Sequence, residues 1–289
     1  AIFDPLGRGS FGLVRRGLLL DSIHVAVKVV ESNARDRRRR EALVNEVRLL
    51  RRLRHPNIVL FNGVIAQYQD QLNDSLLLVE MGIVLELVEG GDFGAYCRRR
   101  QHNHPYAACA LANEEAQLEV QQDHRFLLDV TKGMLYLHSR EPVVLHRDLK
   151  PSNILIDNVC LRAKLTDFGL GALLKPDQEV NSRAGTTSYM APEVGNFQPY
   201  DARADCFSFG CVILFLLTLQ HPPGRDGSLV VAQKVSCCDH FPKTLVDIAC
   251  ACLQLDPSDR PASITLHAEL SASLTPLQSC ALTAWNGIT

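Results

Sequence analysis

A chain of 289 residues, 46% hydrophobic and 21% charged, carries enough apolar material for one large or two medium cores, which excludes a disordered polypeptide. A formal net charge of −2 supplies no general attraction to nucleic acid or to an anionic membrane. The ten cysteines have neither zinc-finger nor CxxC spacing and read as reduced thiols of a cytoplasmic protein, with Cys211, Cys250 and Cys252 as core packing.

The chain opens AIFDPLGRGSFGLV without an initiator methionine, as expected of a piece of a longer protein. Residues 6 to 30 alternate short apolar runs with glycines and predict a glycine-rich hairpin followed by the strand HVAVKVV. Within it, Gly7, Gly9, Gly12 and Val14 form a GxGxxGxV pattern. Its glycines let backbone N–H groups approach an anion closely, although a tight turn is the plainer alternative. The pattern does not open a helix inside a βαβ unit, which argues against a dinucleotide fold. Lys28 is a cation in an apolar strand and would ordinarily face solvent; alternatively, Glu46 on the next helix holds it for a phosphate. That helix is predicted over 36 to 54, where Leu43, Val47, Leu50 and Leu53 recur at helical spacing and Pro56 stops it. The basic runs Arg37–Arg40 and Arg98–Arg100 read as solvated helix faces.

Two strand-like runs follow near 58 to 66 and 76 to 88, separated by the polar QYQDQLND, and Gly90-Gly91 breaks the chain. Beyond this point the pattern is mainly helical, near 122 to 139, 204 to 219, 242 to 255 and 261 to 274. HNHPYAACALANEE, before the first of these, reads as an extended loop. The apolar run Phe209 to Leu219 is too short to span a bilayer and predicts a buried helix. Between two apolar, β-branched runs, VLHRDLKPSNILI places His146, Arg147, Asp148, Lys150 and Asn153 on a turn that is either a solvated loop or a reaction site. In AKLTDFG, Asp167 sits at a strand end beside Gly169, suited to Mg²⁺ or to an ordinary turn.

GxGxxGxV, AVK, a helical Glu, HRDLKPSN, DFG and Ala191-Pro192-Glu193 occur in that order, and their joint occurrence by chance is negligible. From about residue 6 to 274 the chain resembles the eukaryotic protein kinase family. The resemblance implies an α+β, two-lobed fold: a small antiparallel β-sheet N-lobe with one main helix (1–88), a hinge at about 86–91, and a larger, mainly helical C-lobe (92–289). It implies that ATP lies between the lobes, with Gly7, Gly9 and Gly12 over its phosphates. Lys28, paired with Glu46, would contact the α- and β-phosphates. Asp148 would be the catalytic base, Lys150 would neutralise the transferring group, and Asn153 and Asp167 would hold Mg²⁺. Thr186 would bond Asp148 and Lys150. Leu6, Val14, Ala26 and Leu155 would enclose the adenine ring, with Leu85 as gatekeeper, the backbones of Glu86 and Val88 on the adenine edge and Asp92 at the ribose. His146 and Phe168 would stack with Leu50, Asp205 would brace the catalytic loop, and Glu193 would pair with Arg260.

Lys150, two residues after Asp148, and Thr186 in GTTSYMAPE resemble the serine/threonine type. RHPNIVLFNGV, SYMAPEV and ADCFSFGCVILFLLT are similar to its tyrosine-kinase-like group. Arg147, preceding the base, implies binding of an activation-loop phosphate, with Ser182 as the acceptor for an upstream kinase. Segments 67 to 75 and 101 to 119 look inserted, and 220 to 241 matches the family's substrate-side helix poorly. The competing reading is a nucleotide-binding pseudokinase scaffold, whose usual sign is loss of the metal-binding Asp, the base or the strand Lys; none is lost here. A small-molecule phosphotransferase would generally lack the activation segment Asp167–Glu193.

Overall fold

The computed structural model describes residues 2–9, 12–31, 37–70, 76–100, 114–174, 184–237 and 241–274. The strands β1 (Ile2–Gly9), β2 (Gly12–Leu19) and β3 (Ile23–Glu31) precede the helix α1 (Arg37–Leu50). With β4 (Phe61–Asp70) and β5 (Leu76–Glu86) they form one antiparallel sheet of order β1-β2-β3-β5-β4. Successive strand residues face opposite sides. Val25, Val27 and Val29 pack with Val84 in a small core of their own, which sends Ala26 and Lys28 to the other face. Val14 pairs with Lys28 and Leu85 with Ala26, so four predicted site residues meet there. Lys28 is buried, not solvent-facing.

The polar segment expected between the fourth and fifth strands is in part strand: Gln67–Asp70 pair with Leu76–Glu80, with a register shift between Gln67 and Tyr68. β4 lies at the sheet edge, where a strand carries polar residues without an apolar alternation to announce it. Residues 71–75 of that segment, and 101–113 of the second segment expected to be inserted, lie outside the described residues.

The larger lobe begins with α2 (Phe93–Arg99) and α3 (Glu114–His138). Four short strands follow, β6 (Val143–Leu145), β7 (Ile154–Asp157), β8 (Arg162–Leu165) and β9 (Ala172–Leu174), paired as β6–β9 and β7–β8. The helices α4 (Pro192–Gly195), α5 (Arg203–Thr218), α6 (Arg225–Ser236), α7 (Lys243–Cys252) and α8 (Ser263–Ser273) complete it. α3 starts eight residues before the predicted 122, because its first two turns are mostly polar and give no apolar period. The 220 to 241 region does hold a helix, α6, whose Ala232 and Val235 are buried.

α5 is the centre of the core. Phe207, Phe209, Cys211, Val212, Ile213 and Phe215 are all at most 1% exposed, as its apolar run predicts. Among the described residues no helix is long and apolar enough to cross a membrane. All seven described cysteines are free. Burial pushes the Cys206 and Cys211 thiols up to about 12, so they pack as apolar groups; Cys252 is likewise buried and Cys250 half-buried.

Two seams matter for the site. The chain leaving α1 is sewn to β8: Val59 N donates to Leu165 O (3.0 Å), Leu165 N to Asn57 O (2.9 Å) and Asn57 Nδ2 to Ala163 O (2.9 Å). Gly133 of α3 permits this junction, since a Cβ there would stand 2.8 Å from Leu165 Cδ1. In the second seam, Arg260 grips Glu193 with both terminal nitrogens (2.6 and 2.9 Å) and also donates to Gln254 O and Leu255 O. Both partners are buried, the pairing expected from sequence.

Candidate active site

The face of β3 that carries Ala26 and Lys28 looks toward the larger lobe. Lys28 Nζ lies 2.6 Å from Glu46 Oε2 on α1 and 2.7 Å from Asp167 Oδ1 after β8. Burial works against the ammonium, but Glu46 and Asp167 outweigh it and hold the Lys28 pKa above its ordinary value. Burial also pushes the Glu46 carboxyl up against the pull of Lys28. One ammonium facing two buried carboxylates leaves an excess of negative charge, an arrangement that favours a divalent cation nearby.

Asp167 reaches this position through a left-handed backbone (φ 65°), a conformation aspartate tolerates better than most residues. Phe168, directly after it, is fully buried and lies 4.8 Å from the His146 ring, centroid to centroid. Leu50 of α1 belongs to the same core as Phe168.

β6 leads into the turn that holds His146, Arg147 and Asp148. The Asp205 carboxylate, at the start of α5, accepts the backbone N–H groups of His146 (2.8 Å) and Arg147 (2.9 Å) and lies 3.0 Å from His138 Nε2. Burial raises its pKa, but His138 and these donors outweigh burial and hold it below the usual carboxylate range. With Arg147 also left-handed (φ 64°), the turn brings Asp148 beside Asn153. Asp148 Oδ1 accepts Thr186 N (2.9 Å) and Oγ1 (2.7 Å), and its Oδ2 accepts Lys150 Nζ (2.7 Å) and Asn153 Nδ2 (3.0 Å). Lys150 Nζ also donates to Thr186 Oγ1 at 2.7 Å. Asn153 directs Nδ2 at Asp148, to both its side chain and its carbonyl oxygen, which turns its own amide oxygen elsewhere. Asn153 and Asp167 thus bring hard oxygen donors to one cavity. Among the described residues no group of three or more His, Cys, Asp or Glu could cage a metal. Two oxygen ligands completed by phosphate and water are what Mg²⁺ takes, and a zinc cage is not.

Between the lobes lies a cavity of about 380 Å³. Its walls include Leu6, Gly7, Val14, Ala26, Lys28, Leu85, Glu86, Val88, Asp92, Asn153, Leu155 and Asp167. Gly9 and Gly12 pair with each other at the end of the β1–β2 hairpin. β5 ends at Glu86, so the backbone of Leu87 and Val88 leaves the ladder along the cavity wall.

Two predicted residues have further tasks. Asp92 caps α2, its Oδ1 accepting Ala95 N at 2.8 Å. The Glu86 carboxylate accepts Leu60 N (2.7 Å) and Lys164 Nζ (2.7 Å), tying the end of β5 to both lobes. Arg147, expected to meet a phosphate, donates to the carbonyls of Leu170 and Gly171; Ser182 lies outside the described residues. Sequence reasoning missed the direct contact of Lys28 with Asp167, the two being 139 residues apart in the chain, and missed Lys164, whose only signal is a cation alternating with buried residues in β8.

The protein kinase domain family matches residues 1–270. A probable serine/threonine-protein kinase of Arabidopsis thaliana, SIS8, is 32% identical over 95% of this chain and 25% of its own length. The serine/threonine-protein kinase CTR1 of the same plant is 35% identical over 78% of this chain and 24% of its own. The tyrosine-protein kinase Fer of Rattus norvegicus is 32% identical over 93% of this chain and 30% of its own. The chain therefore spans about a quarter of the length of these two plant relatives. With the match running through both lobes and every motif of the cleft, the chain belongs to the protein kinase family.

Proposed function

We propose that this chain transfers the γ-phosphoryl group of ATP to serine and threonine hydroxyls of proteins, with Mg²⁺ as the metal. The observation that carries the reading is the shared grip of Asp148 and Lys150 on Thr186 (2.7 Å each), beside a cavity lined by Lys28 and Asp167. Lys28, held by Glu46, would bind the α- and β-phosphates. Asn153 and Asp167 would hold Mg²⁺, which would supply positive charge to offset that of the phosphates. Asp148 would accept the proton of the substrate hydroxyl as its oxygen bonds to the γ-phosphorus and the bond to the bridging oxygen of ADP breaks. Lys150 would offset charge on the moving group. The lobes would meet at 86–91, with Glu86 and Val88 offering backbone groups to the adenine.

The serine/threonine assignment rests on Lys150 and Thr186 and on the names of the SIS8 and CTR1 relatives. The Fer relative makes product analysis the decisive measurement. Labelled ATP would be supplied with generic protein substrates, and the phosphoamino acids identified. Wild type is expected to yield phosphoserine and phosphothreonine, with Asp148→Asn slower by about 10²-fold or more. Phosphotyrosine as the main product, or equal rates for the two proteins, refutes the reading.

A further inference from the structure

Lys28 draws its two carboxylates from distant parts of the chain, Glu46 on α1 and Asp167 after β8. A side chain beside Glu46 also joins these parts directly. Asn45, half-buried on α1 and next to Glu46, donates through Nδ2 to Gly169 O (3.2 Å) and Gly171 O (2.9 Å), 124 and 126 residues away. Two carbonyls can only accept, so the amide must present its NH₂ to them. The same carbonyl of Gly171 accepts Arg147 Nη2 (3.1 Å), and Leu170 O accepts Arg147 Nε. The backbone after Asp167 is thus held from the small lobe by Asn45 and from the catalytic turn by Arg147. Gly171 fits against α1 because it has no side chain; a Cβ there would collide with Leu49 Cδ1.

We infer that Asn45 is a positioning residue for phosphoryl transfer: it locks α1 to the Gly169–Gly171 backbone and so delivers Glu46 and Asp167 to Lys28 as one unit. The inference rests on the kinase reading above and names a residue that acts through Glu46 without touching nucleotide. Glu46 requires α1 to stay within hydrogen-bond reach of β3, and the bonds of its neighbour to a second lobe are what fix that distance. An apolar residue of similar shape at 45 would keep the packing and lose the lock. Aspartate would set a carboxylate against two carbonyl oxygens and push the helix away.

The test is a double-mutant cycle on kcat/KM for ATP, with the full chain and a generic protein substrate. Asn45→Ala and the near-isosteric Asn45→Leu are expected to lower kcat/KM about tenfold, the worth of two neutral hydrogen bonds expressed in positioning. Asn45→Asp is expected to fall below both. Glu46→Gln is expected to lose more, and Asn45→Leu with Glu46→Gln should lose clearly less than the product of the two single penalties, because the lock acts largely through Glu46. Multiplying penalties, or Asn45→Leu at the wild-type rate beside a crippled Glu46→Gln, overturns the inference and leaves the kinase reading intact. A wild type without transfer activity, or an unimpaired Glu46→Gln, overturns both. Asn45→Leu keeps the volume of the side chain, so the cycle remains readable if Asn45→Ala folds poorly.

Discussion

Gly185→Ala tests whether the contact of Thr186 with Asp148 matters to the rate. Gly185 has φ +111°, and a Cβ built on it would stand well under 3.0 Å from the carbonyl oxygen of Arg147 and 3.8 Å from Asp148 Oδ1. The backbone at this φ costs a side chain about 1–3 kcal/mol, and the obstacle is main chain, which cannot rotate away. Relief requires residue 185 to retreat by about 1 Å, taking with it the Thr186 N–H and hydroxyl that bond Asp148 at 2.9 and 2.7 Å; a displacement of that size near a reacting group costs about 10²-fold in rate. The assay is initial-rate transfer from labelled ATP to a protein substrate, alongside a thermal melt. The expected result is kcat reduced about 10²-fold, with a melting temperature lower by roughly 5 °C. Gly63→Ala in β4 is the control: nothing lies within 4 Å of its Cβ, so rate and melting temperature should hold. Gly185→Ala turning over within threefold of wild type would refute the reasoning.

Glu193→Gln leaves the buried Arg260 guanidinium without its counter-charge. It should cost about 3–5 kcal/mol, read as a melting temperature lower by roughly 10 °C; an unchanged melt would show that the backbone carbonyls around Arg260 suffice. Asp205→Asn should destabilise by about 2 kcal/mol near neutral pH, since an amide cannot satisfy both backbone donors. The folded pKa of Asp205 lies below its ordinary 3.8, so its stabilisation is complete above that value and is lost as pH falls through the folded value. Denaturation curves of wild type and variant should therefore be separated at pH 7 and converge below about pH 4; a constant gap down to acid would sink this reading.

The residues that meet in the cleft were legible because their types are chemically constrained. The proposed roles of base, metal carboxylate and phosphate-binding lysine leave few substitutes, and β3 alternation alone puts Ala26 beside Lys28 on one face. What stayed hidden depended on geometry with no local pattern. Gln67–Asp70 gave no strand signal, because a paired edge backbone makes no demand on side-chain type. The first two turns of α3 gave no helical period, because their residues are mostly polar. Asn45 looks like any polar residue on a solvated helix; only its place one position before Glu46 sets it apart. Asp92 lines the cavity and also caps α2, a local duty that an Asp at the start of a helix signals in the sequence.

The stitching of residues 57–59 to β8 has a mechanical consequence. It turns the C-terminal end of α1 into a fulcrum anchored in the large lobe, with the rest of the helix as a lever. At 1.5 Å of rise per residue, Glu46 sits about 6 Å from Leu50 and Arg37 about 20 Å from it. A swing that carries the far tip of the lever by about 3 Å therefore moves Glu46 by about 1 Å, enough to stretch a 2.6 Å bond beyond useful reach. Whatever pushes on that tip would act on the cleft with a threefold reduction in travel and a matching gain in force.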